Sequence, residues 1–527
     1  MSVFPLPERY SRPAWTFGLL LAAAGLPLSK FLLSVSMFWI ALVWLWEGNF
    51  STKWARLKSP ALWALIGFFL LHLLGLLYTE NMKAGMHDVR IKLPLLVLAF
   101  LYGTGRQLSR KDFFLVLGIF IAATAASSVI TAVRAAGWTG KLYPDIRDAS
   151  PFVALIRLGL MAVFSMFLLA YFIAKTGLRI SYKAGLLALA AWFVFFLIYL
   201  QQLTGLVVLL IAAFLVLCVY AVLQRRRGLA LALLLLVGGA AGGAGFYVKH
   251  VYDEYYKGAG PFDVSKLETH TPRGMPYHHD TVNYMLENGN HALIYVSFPE
   301  LQEEWAKRSG KSLLERNPDG HFTSYVLIRY LASKGLRRDA DGVRALSDEE
   351  IRAIEKGATN YRFAEMNGIT RRIYQVIWEL DIYFHGGDPS DKSIPMRLEL
   401  WKTSLAVIKA QPAIGVGTGD MPDTFKKNYE ETRSRLSEKW RILHPHNQFL
   451  AIGVQFGLLG LSVFLFSLFY PGIRQKRFRN YFYLSFFCIV FVSFFNEDTL
   501  ETQQGVMFYA FFNCLLLFAQ PEKLGKK

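Results

Sequence analysis

The chain has 527 residues, of which 54% are hydrophobic and 18% charged, and its mean hydropathy is +0.31. This composition is too apolar for a soluble protein of such length and indicates a membrane protein. The net charge of +18 does not indicate a nucleic-acid partner, because the long loop from Lys249 to His446 is neutral, with 28 basic and 28 acidic residues. The excess lies around the apolar segments, where it reflects membrane topology.

Apolar runs recur from Pro13 to Gln520. A helix needs about 20 such residues to cross a hydrocarbon core of about 30 Å. The first run has no small-residue cleavage site behind it, so we expect a retained span and not a signal peptide. We identify about twelve runs, at residues 14–28, 31–47, 60–78, 92–105, 112–133, 151–174, 184–200, 203–223, 229–248, 447–470, 481–495 and 503–519.

The distribution of Lys and Arg predicts the orientation of these spans. Basic residues mark cytoplasmic loops, and an even number of spans then places both termini in the cytoplasm. The predicted fold is an all-α polytopic membrane protein with about twelve transmembrane helices and one large, mainly helical periplasmic loop. The basic loops lie near 53–58, 106–111, 175–183, 225–227 and 474–479 and in the tail at 523–527. The predicted organisation is spans one to nine in 1–248, a periplasmic lid domain in 249–446 and spans ten to twelve in 447–527.

The long loop is expected to be ordered, because about 200 structureless residues between two spans would be improbable. Residues 292–298 alternate weakly and are a candidate strand. Asn-Gly and Gly positions punctuate the loop. Apolar periodicity predicts helices at 300–308, 324–333, 347–356, 361–380 and 397–410.

Two histidines lie where the long loop returns to the membrane, in His444-Pro-His446-Asn447. An imidazole with an ordinary pKa of about 6.5 suits proton abstraction near neutral pH. The alternative is structural, with Asn447 capping the next span and His446 filling an interfacial position. The nearby Gly415-x-Gly417-x-Gly419 has the wrong spacing for a dinucleotide site and predicts a tight turn.

This region resembles a known family. His446-Asn447, nine residues, then Gly457-x-x-Gly460 is similar to the signature of the O-antigen ligase and polymerase superfamily. Upstream, Arg397 to Trp401 and Pro412 to Asp420 also look like the stretch before this histidine. Residues 500–505 and 327–336 resemble ligases of Bacteroidota-type bacteria.

The resemblance implies a GT-C-like inner-membrane glycosyltransferase. The implied reaction is an inverting, metal-independent transfer of a glycan from an undecaprenyl diphosphate donor to a lipid A-core acceptor, at the periplasmic face, with no cofactor. His446 would be the general base and Arg397 a second catalytic residue. Fixed cations would stabilise the diphosphate, and the candidates are Arg157, Arg90 and Lys92. Residues that would bind sugar or support the site are His444, Asn447, Gly417, Asp420 and Glu501.

Several assignments have alternatives. Arg157 departs from the family's arginine motif, since Met161 stands where Leu is usual, and it could instead reach lipid headgroups or pair with Asp148. Arg90 and Lys92 could anchor a span end, and Arg397 could be a solvated helix charge. Glu497, Asp498 and Glu501 could bind acceptor hydroxyls, orient His446 or form a surface rim.

Other functions are also open. A polymerase or protein O-glycosyltransferase of the same superfamily would share the donor and the histidine. A flippase or transporter would need as many spans but would concentrate polar residues near the midplane. Metal sites are not predicted, because the three cysteines are isolated in spans and Asp339-Ala-Asp341 lies in a charged turn.

Overall fold

The computed structural model describes residues 7–141, 143, 146–175, 177–260, 263–317, 320–441 and 444–521. These residues form two compact units. The first unit comprises Met1–Leu233, Leu400–Glu431 and Ile442–Lys527, and the second, named here the loop domain, comprises Leu234–Glu399 and Thr432–Arg441. Residues 400–431, which the sequence-based boundaries include in the lid, thus belong to the first unit.

The described N-terminal half is helical. Several helices begin after a residue whose side chain accepts a hydrogen bond from a backbone N–H group. Examples are Ser29, Asn81 and Ser109. The helices are α1 (Glu8–Leu28), α2 (Lys30–Trp46), α3 (Phe50–Arg56), α4 (Pro60–Gly75), α5 (Met82–Thr104), α6 (Arg110–Ala135), α7 (Leu155–Lys175), α8 (Ile180–Tyr199), α9 (Leu203–Leu223) and α10 (Arg227–Tyr255).

The rest of the chain is also mainly helical. It contains one antiparallel hairpin, β1 (Leu286–Glu287) and β2 (Asn290–His291). The helices are α11 (Phe298–Ser309), α12 (Thr323–Ser333), α13 (Ala340–Arg344), α14 (Asp348–Glu355), α15 (Gly368–Phe384), α16 (Ser393–Ala410), α17 (Met421–Glu431), α18 (Gln448–Arg474), α19 (Tyr481–Ser493) and α20 (Gln503–Cys514), which continues as a π-turn to Ala519.

The prediction of an all-α polytopic membrane protein is confirmed. Seven helices of the described chain are long and apolar enough to cross a membrane, and an eighth is reached if α2 and α3, bent by 117°, count as one span. Two further apolar helices, Tyr481–Ser493 and Gln503–Ala519, are shorter. Each of the twelve apolar runs lies wholly or mostly in helix, but the count of twelve spans stays a prediction. The seven are Pro60–Tyr78, Arg110–Ala135, Leu155–Ala174, Ile180–Tyr199, Leu203–Leu223, Leu231–Tyr255 and Gln448–Arg474.

Aromatic packing forms the core of the first unit, where α6, α7 and α20 meet. Phe120 and Phe164 contact Phe512 edge to face, with ring centroids 4.6 Å and 4.8 Å away. This geometry sets the positive edge of one ring against the negative face of the other. Close packing in lipid depends on such contacts, because burial of apolar surface supplies little driving force there.

The loop-domain helices lie close to where periodicity predicts them, with two corrections. The strand expected at 292–298 is absent from this described stretch; the hairpin precedes it, because Asn288 and Gly289 have φ of 48° and 81° and form the tight turn. Val296 makes only isolated bridges. The helix expected at 361–380 is interrupted, since Asn367 caps a new helix at Gly368.

Helix α18 is broken inside its apolar length. Gly457 has φ 60° and ψ −160°, a conformation essentially restricted to glycine. The open turn exchanges backbone hydrogen bonds with residues 412–417: Val416 N donates to Val454 O (3.0 Å) and Leu458 N to Pro412 O (2.8 Å). These bonds satisfy groups that the break removes from the helix.

The tight turn predicted for the glycine run is confirmed. Gly415 and Gly417 have φ of 66° and 105°. A Cβ on Gly415 would lie 2.4 Å from the carbonyl oxygen of Val454, so only glycine lets this segment approach α18 so closely.

Candidate active site

The histidine segment is held at the start of α18. Asn447 caps the helix, since its side chain accepts a hydrogen bond from Leu450 N at 3.1 Å. Trp401 Nε1 donates to Pro445 O at 2.9 Å. Between these anchors His446 has φ 50°, a left-handed conformation uncommon outside glycine. Such strain is typical of functional positions.

One carboxylate faces both imidazoles. Asp498 Oδ1 lies 3.9 Å from His446 Nδ1, and Asp498 Oδ2 lies 4.0 Å from His444 Nδ1. These are ion-pair distances, longer than hydrogen bonds. The Asp498 side chain is 9% exposed and that of His446 is 30% exposed. The Asp498 carboxylate is thus largely shielded from solvent, whereas the His446 imidazole remains accessible to a substrate.

A buried network fixes the turn that carries Asp498. Gln448 Nε2 donates to Glu501 Oε1 at 2.9 Å, and Leu500 N donates to Gln448 Oε1 at 2.7 Å. Glu501 Oε2 accepts from Lys92 Nζ at 2.8 Å. Burial alone would raise the pKa of Glu501, but the Lys92 ammonium and His444 outweigh it and lower this pKa to about 2. Glu501 is therefore a supporting anion.

Lys92 is fully buried and also pairs with Asp88. Two carboxylates thus hold the Lys92 ammonium, which favours a role in supporting the turn that carries Glu501. A direct contact between Lys92 and a diphosphate stays a prediction. Arg90 lies two residues away, about 200° around the helix, and is exposed. It lines a pocket of about 820 Å³ together with Lys83 and His87. The structure therefore separates two residues that the sequence analysis grouped.

Arg157 lies in the first turn of α7, because the helix begins at Leu155, later than the predicted span. Glu497 and Asp498 act on its guanidinium electrostatically. Among the described residues, its Nε has no hydrogen-bond partner. Arg157 lines a pocket of about 360 Å³ together with Lys30, from the start of α2. This pocket presents two cations, of which Arg157 lies within electrostatic reach of Glu497 and Asp498.

The glycine turn and Asp420 are structural in this arrangement. Asp420 accepts hydrogen bonds from Glu80 N (2.8 Å) and Asn81 N (2.7 Å), which closes the connection into α5. Gly417 N donates to Gln455 O at 2.9 Å. The alternative of a turn-capping role for Asp420 thus matches its contacts, and a sugar contact stays a prediction.

Arg397 is half-buried on α16 and belongs to the loop domain, whereas His446 belongs to the first unit. The proximity of Arg397 to His446 stays a prediction.

A group that could hold a divalent cation consists of His446, Glu497 and Asp498, with one ligand atom from each within 4.8 Å of the others. Histidine nitrogen and carboxylate oxygen are ordinary ligands for such ions.

Sequence reasoning missed the contribution of Lys30 to the Arg157 pocket. A Lys directly after Ser29 at the start of an apolar run was visible, but its neighbour lies on a helix more than a hundred residues later. It also left the role of Asp498 open, since 51 residues of chain and a helix pair separate it from His446. Only their packing brings the two side chains together.

The comparisons with known proteins agree with the motif. Residues 357–465 match the family described as O-antigen ligase, and this range includes His446, Gly457 and Gly460. No curated protein shows a significant match to the chain. This match supports the O-antigen ligase superfamily for the segment that carries the histidine motif.

Proposed function

We propose that the protein is an O-antigen ligase-type glycosyltransferase that moves a glycan from undecaprenyl diphosphate to the lipid A core of lipopolysaccharide. The observation that carries the proposal is His446, held in a left-handed conformation and facing Asp498 beside the cationic pocket of Arg157. A base next to fixed cations suits displacement of a diphosphate by a hydroxyl.

In the proposed step, the acceptor hydroxyl oxygen attacks the anomeric carbon of the donor sugar. The new glycosidic C–O bond forms as the bond to the diphosphate oxygen breaks, and undecaprenyl diphosphate leaves with the electron pair. His446 takes the hydroxyl proton, and Asp498 stabilises the resulting imidazolium. A single displacement inverts the anomeric configuration.

The leaving diphosphate gains negative charge as its bond to the sugar breaks. Arg157 and Lys30 supply positive charge in one pocket, which suits a step without a metal. Arg397 and Arg90 are proposed as further cations that hold the donor. Positioned base catalysis contributes about 10² to 10⁴-fold to a rate, so His446 and the cations must act together.

The proposed setting is the bacterial inner membrane, with both termini in the cytoplasm and residues 249–446 in the periplasm. The distribution of Lys and Arg supports this orientation. A lipid-linked donor and a lipid-anchored acceptor would both reach the start of α18 from the membrane, so the proposed partners are these two lipids and surrounding phospholipid.

The test is reconstitution of the purified protein with lipid-linked glycan and lipid A core, with glycosylated product read on gels. His446→Ala should abolish transfer, whereas His250→Ala, which removes an exposed histidine on α10, should not. Lengthening of the lipid-linked glycan without transfer would identify a polymerase. Transbilayer movement of the lipid without any product would refute the enzyme assignment.

A further inference from the structure

A second pocket lies entirely within the loop domain. It has a volume of about 700 Å³ and opens between α12, the turn after α14, and α15. This volume lies in the range of small-ligand sites and would hold one or two sugar rings but no folded protein. None of the residues proposed for glycosyl transfer line it.

Arg329 forms a rigid part of the wall. Its side chain is 9% exposed, and its Nε donates to Glu287 Oε1 at 2.6 Å. One terminal nitrogen donates to the Tyr325 hydroxyl at 3.1 Å, and the guanidinium carbon lies 3.8 Å from the centroid of the Trp378 ring. Since a guanidinium has five N–H donors, these contacts fix the group while leaving donors for a ligand.

The pocket carries more positive than negative charge. Lys356, Arg371 and Lys392 line it with Arg329, against the two carboxylates of Glu379 and Asp391. Asp391 has φ 61°, a strained conformation that recurs at ligand-binding sites. Even when Glu287, the partner of Arg329, is counted with them, four cations exceed three carboxylates, and such an excess favours an anionic ligand.

Aromatic side chains line the same space. Tyr325, Phe363 and Trp378 contribute ring surface to the walls. The Trp378 residue is 9% exposed, and its buried indole N–H has no acceptor among the described residues. A buried donor without a partner costs free energy that a ligand oxygen would recover. Apolar rings, fixed N–H donors and excess positive charge together match a sugar ring that carries an acid group.

We propose that this pocket binds an anionic sugar residue of a glycan, recognising its carboxylate or phosphate through Arg329, Lys356 and Arg371 and its ring through Tyr325 and Trp378. The choice of a glycan as ligand rests on the proposed function. The acid group could belong to the donor glycan or to the lipid A core, which share this chemistry. The site would then hold a chain by a sugar that does not react.

The test measures binding of glucuronic acid, glucose 6-phosphate and glucose to the full-length protein in detergent. Ligand-observed NMR and calorimetry are the two readouts. Both acids should bind at least about tenfold more tightly than glucose, the ratio expected from one charge-assisted contact. Lys356→Ala/Arg371→Ala should weaken acid binding about tenfold, and the exposed single variant Lys356→Ala should weaken it less. Equal binding of glucose and the acids would overturn the proposal.

A matched control removes the same charge elsewhere in the loop domain. Lys266→Ala/Lys307→Ala changes two exposed lysines outside the pocket and should leave acid binding unchanged; equal loss in both double variants would overturn the proposal. In the transfer assay, a raised KM for the lipid A core or for the donor identifies which glycan supplies the acid group. Binding is measured without transfer, so a protein that binds acids but transfers nothing would refute only the proposed reaction.

Discussion

Gly457→Ala is expected to destabilise the protein strongly, because α18 is broken at this residue. The backbone there has φ 60° and ψ −160°, which costs a residue with a side chain about 1–3 kcal/mol. A Cβ would also lie 2.5 Å from both the carbonyl carbon and oxygen of Ala413. Those are backbone atoms, so a rotamer change cannot relieve the overlap.

Relief would require movement of residues 412–414 away from α18. That movement would weaken the hydrogen bonds from Leu458 N to Pro412 O and from Leu459 N to Ala413 O, each worth about 1 kcal/mol. The combined loss in free energy of unfolding is about 3–5 kcal/mol. The matched control is Gly67→Ala in α4, where an added Cβ meets no atom within 4 Å.

The assay is thermal unfolding of both variants and wild type in one detergent at one scan rate, because unfolding of such proteins is often irreversible. Gly457→Ala should melt well below wild type. Gly67→Ala should melt at or above it, since alanine favours helix by about 1 kcal/mol relative to glycine. Equal melting temperatures for Gly457→Ala and wild type would refute the explanation that the open turn of α18 requires glycine at this position.

Four further predictions concern the charged groups around His446. Lys92→Met should lower the free energy of unfolding by about 3–5 kcal/mol, because it leaves Asp88 and Glu501 buried without their cation; a wild-type melting temperature would contradict this. Since the pKa of Glu501 is lowered to about 2, its contribution to stability should be complete above about pH 4.3 and lost as the pH falls towards 2, which acid unfolding of Glu501→Gln and wild type would compare. Asp498→Asn should reduce transfer less than His446→Ala, because the base stays in place while the carboxylate that faces it is lost; wild-type transfer would show that Asp498 does not act on the base. EDTA should leave transfer unchanged, whereas a loss that Mg²⁺ restores would assign a metal to the cluster of His446, Glu497 and Asp498.

Local patterns in the sequence predicted what depends on neighbouring residues. The twelve apolar runs fall in or largely in helices because length and hydropathy decide whether a segment is helical in lipid. The cap at Asn447 and the turn at Gly415 and Gly417 follow from residue type alone. Helix periodicity could also have separated Arg90 from Lys92, since residues two apart cannot share a face.

What the sequence could not predict depends on packing between distant segments. Lys92 has one partner within a helical turn, Asp88, but the other, Glu501, is 409 residues away. The break at Gly457 is equally hidden, because glycine is common in transmembrane helices and only the approach of residues 412–417 requires the open turn. The strand expected at 292–298 failed for the same reason, since its residues find no continuous neighbouring strand in the described chain.

The interruption of α18 also bears on how the chain is made. Gly457 lies nine residues from the start of the helix, about 14 Å along its axis, so its open turn falls well inside the apolar length. During synthesis from the N-terminus, residues 412–417 leave the ribosome before α18 does. The partner for the open turn therefore exists before the turn itself. In a circular permutation that placed α18 ahead of this segment, the backbone groups of the open turn would stay unpaired in the bilayer until residues 412–417 were made.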